Sequence, residues 1–378
     1  MSLPEWFQGE IPTELLRLAR AHCEERVHRQ ILADWVERYG GEEGQLLCRF
    51  FRRDEVLRHD ATTWQTLSAS EARLVAPFSD LVLGIGDRVE LPLTETQNIT
   101  MGWVPPGQSW LGGGGGEEGT TAFALEQGLW CGIYPVTQEQ WHAVMGNNPS
   151  HFNGNPKDPM EQVSDSDMQE FLHKVNAANS KSSFFQRLPQ WREVMGNNPS
   201  HFQGLPKNPV EQVSDKDVQE FLHKVNAANS NSWFLYRLPT TDEWEYILRG
   251  GPIPKSQSQY HFYFARSKTE LTAVVSNDLY STQANFKSNY PQGAAKKGPN
   301  LKGTSAVGNY FPNPLGMYDM HGNVWEWTTN EGFSARFING GSWGSNGLAC
   351  MASSRPVFFQ GCFDNYLGFR LLAVPVGG

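Results

Sequence analysis

Apolar residues recur at helical spacing only in short stretches of this chain, separated by long runs rich in Gly, Pro, Asn and aromatic residues. The first stretch, LLRLARAHCEERVHRQILADWVERYG, sets Leu15, Leu16, Leu18, Ile31, Leu32, Trp35 and Val36 among Arg and Glu, and the pattern stops at Gly40 and Gly41. It predicts a small helical unit, which with the polar connection HDATTWQTLSASEAR occupies residues 1–85. The next phrase, VLGIGDRVELPL, reads as either a strand or a linker. Two later segments carry helix signals at both ends. In VTQEQWHAVMG, Thr137 is followed by Gln140 and closed by Gly146; in RLPTTDEWEYILRGG the same device uses Thr240, Glu243 and Gly250. A Thr at the N-cap with Gln or Glu three residues on satisfies two otherwise free N–H groups, and Gly takes the left-handed turn that ends the helix. Farther on, FPNPLGMYDMHGNVWEWT is a turn-rich loop entering an aromatic strand.

Residues 141–190 and 191–240 are copies of one another, identical at 37 of 50 positions. Two copies are too few for a solenoid, so the repeat reads as a tandem copying inside one domain. Each copy holds a short amphipathic helix, with Met168, Phe171, Leu172 and Val175 in the first and Val218, Phe221, Leu222 and Val225 in the second. Asp165 and Asp215 are the expected caps. One copy is surplus, so its apolar face needs a cover: the N-terminal unit, the other copy or a partner.

Composition narrows the function. A net charge of -9 leaves no basic footprint, which excludes a nucleic-acid partner and an anionic membrane surface. The N-terminus lacks a basic segment followed by an apolar one, and no window of 18 apolar residues occurs, so membrane insertion is not expected and a cytoplasmic location is. Five scattered cysteines, Cys23, Cys48, Cys131, Cys350 and Cys362, form no C-x-x-C and signal neither a disulfide framework nor zinc. LGGGGGEEG lacks the Lys of a phosphate loop and reads as a flexible loop.

The ordered phrases MGWVPPGQSWLGG, LWCGIYPVTQEQW, VMGNNPSHF, NPVEQVS, RLPTTDEWEYILRGG, NPLGMYDMHGNVWEW, GGSW and GFR span about Met101 to Leu372. Together they resemble the formylglycine-generating-enzyme domain, a variant of the C-type lectin fold. The resemblance implies an α+β fold with little regular secondary structure over residues 95–376, preceded by the small helical unit. The chain departs from the family at Asp165 and Asp215, where Trp is usual, and at Asn339, where Arg is usual. The N-terminal phrase ILADWVERYGGEEGQLLCRF resembles a short bacterial helix pair found attached to many unrelated domains, which names no activity.

The oxidase members of that family use two cysteines to hold copper, and Ser345 stands where the first belongs, with Cys350 five residues on. One thiolate cannot make the two-coordinate soft site that Cu(I) prefers. The iron-dependent oxygenase relatives need a histidine set from an added helical domain, and His22, His28 and His59 do not form that pattern. The expectation is a non-enzyme requiring no cofactor, with a diverged metal-dependent oxidase or oxygenase as the least favoured alternative. The resemblance further implies a calcium site in DMHGNVWE, with side-chain oxygens of Asp319 and Glu326 and carbonyls of Gly322 and Val324. In the alternative, Asp319 caps a turn and Glu326 pairs with a buried arginine.

Between Gly344 and Tyr366 the only formal charges are Arg355 and Asp364, and aromatic residues stand among Gly, Ser, Asn, Pro and Cys in neither strand nor helix order. This stretch is similar to the variable segment of diversity-generating-retroelement proteins, which use the same fold and end in GFR. There, adenines are randomised during reverse transcription, and an AAY codon becomes NNY, which never encodes Lys, Glu, Gln, Trp or Met. The stretch has no Lys, Glu or Trp, and only Met351 and Gln360 fall outside the set. By that resemblance Gly340, Gly341, Ser342, Trp343, Cys350, Arg355, Gly368, Phe369 and Arg370 are scaffold. Within a variable region at 336–371 the candidate ligand-binding residues are Ile338, Gly344, Ser345, Asn346, Leu348, Ala349, Met351, Ser354, Pro356, Val357, Phe358, Phe359, Cys362, Phe363, Asp364, Asn365 and Tyr366. The partner is an unspecified protein or other macromolecule; the competing reading is a constant interaction or regulatory domain of the same family. If the segment is displayed, truncating Phe358, Phe359 or Phe363 should each cost under about 1 kcal/mol of stability.

Overall fold

The computed structural model describes residues 3–21, 26–52, 66–94, 96–178, 234–329, 336–358 and 364–375. The N-terminal pattern forms three helices, α1 (Glu10–Ala21), α2 (Arg26–Tyr39) and α3 (Gly41–Phe51). They bury Leu16, Leu32, Val36, Leu47, Phe50 and Phe51. A Cβ on Gly44 would lie 2.0 Å from the Val36 carbonyl oxygen, so α2 and α3 reach backbone contact only because that residue is glycine.

Strand β1 (Thr66–Leu67) and helices α4 (Ala69–Val75) and α5 (Ser79–Val82) lead to β2 (Arg88–Pro92), so VLGIGDRVELPL ends in a strand. Next come β3 (Asn98–Val104), the hairpin β4 (Gly107–Leu111) and β5 (Thr121–Leu125), then β6 (Leu129–Gly132). Helices α6 (Gln138–Met145) and α7 (Asp165–Ala178) precede β7 (Phe234–Arg237) and α8 (Thr241–Arg249). The remaining strands are β8 (Phe262–Ala265), β9 (Ala273–Ser276), β10 (Trp325–Thr328), β11 (Arg336–Asn339), β12 (Val357–Phe358), β13 (Leu367–Gly368) and β14 (Leu372–Pro375).

One sheet runs β1-β2-β3-β6-β14-β7, and a second runs β12-β11-β10-β13. Strand β1 pairs parallel to β2, which stitches the N-terminal unit to the large sheet. At the other end of the chain, β14 inserts antiparallel between β6 and β7. A single apolar cluster runs from Phe7, Leu47 and Phe78 through Leu93 and Trp103 to Trp141, Phe171 and Phe369.

Both expected capping boxes form. Thr137 Oγ1 accepts from Gln140 N while Gln140 Oε1 accepts from Thr137 N, and Thr240 and Glu243 do the same at α8. Gly146 (φ 80) and Gly250 (φ 103) take the left-handed turns. The cap of α7 differs from expectation. Ser164, rather than Asp165, holds it: Ser164 Oγ accepts from Asp167 N at 3.2 Å, and Asp167 Oδ2 accepts from Ser164 N at 2.9 Å. Asp165 already belongs to the first turn.

The first copy of the repeat supplies α7, with Met168, Phe171, Leu172 and Val175 all buried. Of the second copy, residues 191–233 lie outside the described residues, including Asp215, Val218, Phe221, Leu222 and Val225. Its end forms β7 and the N-cap of α8.

Candidate functional site

The C-terminal candidate segment is anchored on the four-stranded sheet. Strands β10 and β11 pair antiparallel, with Trp327 opposite Ile338, and the chain then turns at Gly340 (φ 96) and Gly341 (φ 76). A Cβ on Gly341 would lie 2.4 Å from Cys350 Sγ, so the turn and the buried cysteine fit together only with glycine there. Beyond the turn, Asn346 Oδ1 accepts from Ala349 N at 3.0 Å and caps the short helical turn Gly347–Cys350. Arg355 then fixes the return by pairing with Asp242 at 2.6 Å and with the buried Glu245, both on α8. Two neighbouring loops border the segment. Phe152 meets the Trp343 ring edge-on at 5.3 Å, and Tyr290 O accepts from Gly347 N at 2.9 Å. Trp343 Nε1 donates to Asn365 O at 3.0 Å, which ties the start of the segment to its end.

Within this frame Gly344, Asn346, Leu348, Pro356 and Val357 are exposed, Leu348 and Val357 to 54% and 58%. Ser345, Ala349, Met351, Ser354, Phe358, Asp364, Asn365 and Tyr366 are half-buried. Phe359, Cys362 and Phe363 lie outside the described residues. Two expectations change. Ile338 is only 3% exposed, because the β11 register turns it into the core, and it leaves the surface set. Phe358 is not free of core partners: its ring lies 5.7 Å edge-on from the fully buried Trp327, and it packs with Tyr366 against the main cluster. Truncating Phe358 therefore costs more than the expected 1 kcal/mol or less, about 1–2 kcal/mol for a half-buried ring.

Sequence reading passed over the group that supports this frame from behind. Glu161 is fully buried; its Oε1 accepts from Phe152 N at 2.8 Å, and its own N–H donates to Ser150 Oγ at 3.4 Å. Gln162 N in turn donates to Asp364 O at 2.9 Å. No local signal marked it, because DPMEQVS sets Glu161 beside other polar residues, Asp158, Gln162 and Ser164. Burial pushes Glu161 up to about 7, with nearby Asp364 and Asp158 adding to the rise and the Phe152 and His151 N–H groups opposing it. An acid that holds its proton more tightly when folded makes the native state lose stability as pH rises from the ordinary carboxylate range through that value. Asp319, raised to about 6 by burial, acts with the same sign. Urea denaturation is expected to give a stability about 1–3 kcal/mol lower at about pH 8 than at about pH 5, with a visibly flatter profile for Glu161→Gln.

Of the two side chains expected to hold calcium, Glu326 is already engaged at both oxygens by neighbouring donors. Glu326 Oε1 accepts from Arg370 at 2.7 Å, while its Oε2 accepts from Arg370 Nε at 3.0 Å and Trp244 Nε1 at 2.7 Å. Asp319 Oδ2 accepts from Gly308 N at 2.8 Å. A cation at Glu326 would sit against a buried guanidinium. Among the described residues no group of three or more His, Cys, Asp or Glu is arranged to hold a metal ion. In protein first stripped with chelator, added calcium is expected to leave the melting temperature unchanged; a rise would show binding to the native state by mass action.

Nor does Cys350 offer a reactive centre. Cys350 is buried and its pKa is pushed up to about 12 by desolvation, so it stays a thiol. Ser345, in the position of a partner cysteine, instead pairs with Ser342 Oγ at 2.9 Å.

Residues 89–374 match the family described as the sulfatase-modifying factor enzyme 1-like domain. The chain belongs to that family. A relative named "Chaperone protein LppX", from Paenibacillus barcinonensis, is 29% identical over 248 residues, covering 64% of this chain and 76% of that protein. The "Inactive C-alpha-formylglycine-generating enzyme 2" of Bos taurus is 32% identical over 110 residues, and the match spans 31% of its length. Among solved structures, Treponema denticola variable protein 1 aligns over 76% of this chain and 98% of its own, with 24% identity and a TM-score of 0.46. Among the described residues no helix is long and apolar enough to cross a membrane.

Proposed function

We propose that this protein is a non-catalytic binder that displays a diversified C-terminal surface on a C-type lectin fold, as diversity-generating-retroelement variable proteins do. The observation that carries the reading is a segregation within residues 338–371. Of the nine positions assigned to scaffold, Gly340, Gly341, Ser342, Cys350, Gly368, Phe369 and Arg370 are buried and Trp343 and Arg355 half-buried, while five of the positions between them are exposed. Codon chemistry supports it independently, since residues 344–366 lack Lys, Glu and Trp. Aromatic residues among Ser, Gly and Asn are also the composition of antibody-like contact surfaces. The buried, protonated Cys350 thiol, with Ser345 where the partner cysteine belongs, weighs against copper-thiolate oxidase chemistry and so supports a binding role. The ligand is a protein or another macromolecule.

The competing reading, a constant interaction domain of the same family, is favoured by Phe358, whose contact with Trp327 gives it a packing role that randomisation would break. The DNA downstream of the coding sequence separates the two. The proposal expects a near-copy of the segment, carrying adenines at the exposed positions, beside a reverse-transcriptase gene. Its absence would leave the constant-domain reading.

A further inference from the structure

Helix α7 and the loop before it sit in a slot walled by α6, by β7 and by residues from outside the repeat. Phe369 meets the Phe171 ring edge-on at 5.3 Å, and Trp327 Nε1 donates to Val163 O at 3.3 Å. A Cβ on Gly368 would lie 2.4 Å from the Met160 carbonyl oxygen. At the end of the helix, Asn176 brackets β7: its Oδ1 accepts from Tyr236 N at 2.7 Å and its Nδ2 donates to Tyr236 O at 2.9 Å. These partners are 60 positions apart, while the repeat is 50 residues long. Asn226, the second copy's counterpart of Asn176, stands ten positions before Tyr236. The fold thus combines a first-copy helix with a second-copy strand, across a connection one full repeat longer than the slot requires.

The residues that fill the slot are repeated. Phe221, Leu222, Val225 and Asn226 reproduce Phe171, Leu172, Val175 and Asn176 unchanged, and Val210 and Val218 replace Met160 and Met168 with smaller apolar side chains. We propose that the slot is a docking surface for either copy, so that within one molecule the second copy can displace the first. In both arrangements the same number of residues remains outside the slot, so the chain-closure cost is similar. The balance then rests on side-chain fit, and the larger Met160 and Met168 favour the first copy.

The test uses the full-length chain with Phe171→Asp, with Phe221→Asp and with both changes, followed by thermal unfolding and size-exclusion chromatography. A carboxylate at Phe171 cannot be accommodated between Trp141 and Phe369. The Phe171→Asp chain is expected to keep a cooperative transition, lowered by several degrees, and to elute at the wild-type position. Phe221→Asp alone should match the wild type, and the double variant should lose the transition. A Phe171→Asp chain that unfolds as the double variant does overturns the proposal. So does one that stays folded only by doubling its apparent mass, because the slot would then be filled by a neighbouring molecule's copy.

Discussion

Arg370→Ala lowers the unfolding free energy by about 3–5 kcal/mol, because it strands a buried carboxylate. Arg370 and Glu326 are each 1% exposed at the side chain, and the guanidinium grips both Glu326 oxygens. Arg370 also donates to Gly132 O and Tyr318 O, both at 2.7 Å, so its loss leaves two carbonyls as well as a charge without their partner. Neutralising the other side should recover part of the cost. In Glu326→Gln/Arg370→Met the amide oxygen still accepts from Trp244 and the methionine fills much of the vacated volume, so what remains unmatched is neutral, the amide N–H group and the two carbonyls, rather than a buried charge. Chemical denaturation of the wild type, the single and the double variant checks this. A single variant within about 1 kcal/mol of wild type would mean that the pair contributes nothing net.

That pair also marks where sequence reading succeeded and where it stopped. GFR was legible as scaffold because the phrase is short, ordered and close to the chain end; what it does, a cation buried under the sheet junction, needs the partner 44 positions away. Local devices read well. The two capping boxes and the glycine turns at Gly146 and Gly250 depend on residues within a few positions of one another. The cap of α7 was misread because Ser164 and Asp165 are both good caps, and only backbone geometry decides which one lies inside the helix. Non-local facts were out of reach. Nothing in FINGGSW says that Ile338 faces Trp327, because a four-residue strand is too short for its alternation to choose a face. Glu161 was passed over for the same kind of reason: its burial is produced by a loop that folds back on it.

The behaviour of the apolar residues along the C-terminal segment is the sharpest physical test of display. Three positions sample three depths. Phe369 is fully buried and meets Trp141 and Phe171 edge-on at 5.9 Å and 5.3 Å, Phe358 is half-buried against Trp327, and Val357 is 58% exposed. Phe369→Ala opens a cavity in the main cluster and should cost about 3–5 kcal/mol. Phe358→Ala should fall between, at about 1–2 kcal/mol, and Val357→Ala should stay within about 0.5 kcal/mol. The gradient follows from geometry: β12 lies at the outer edge of the four-stranded sheet, so its side chains alternate between the sheet's packed face and solvent. Urea titration of the three variants with an unchanged slope gives the comparison directly. If Phe358→Ala costs as much as Phe369→Ala, the segment is core rather than display, and the binding-surface reading loses its physical support.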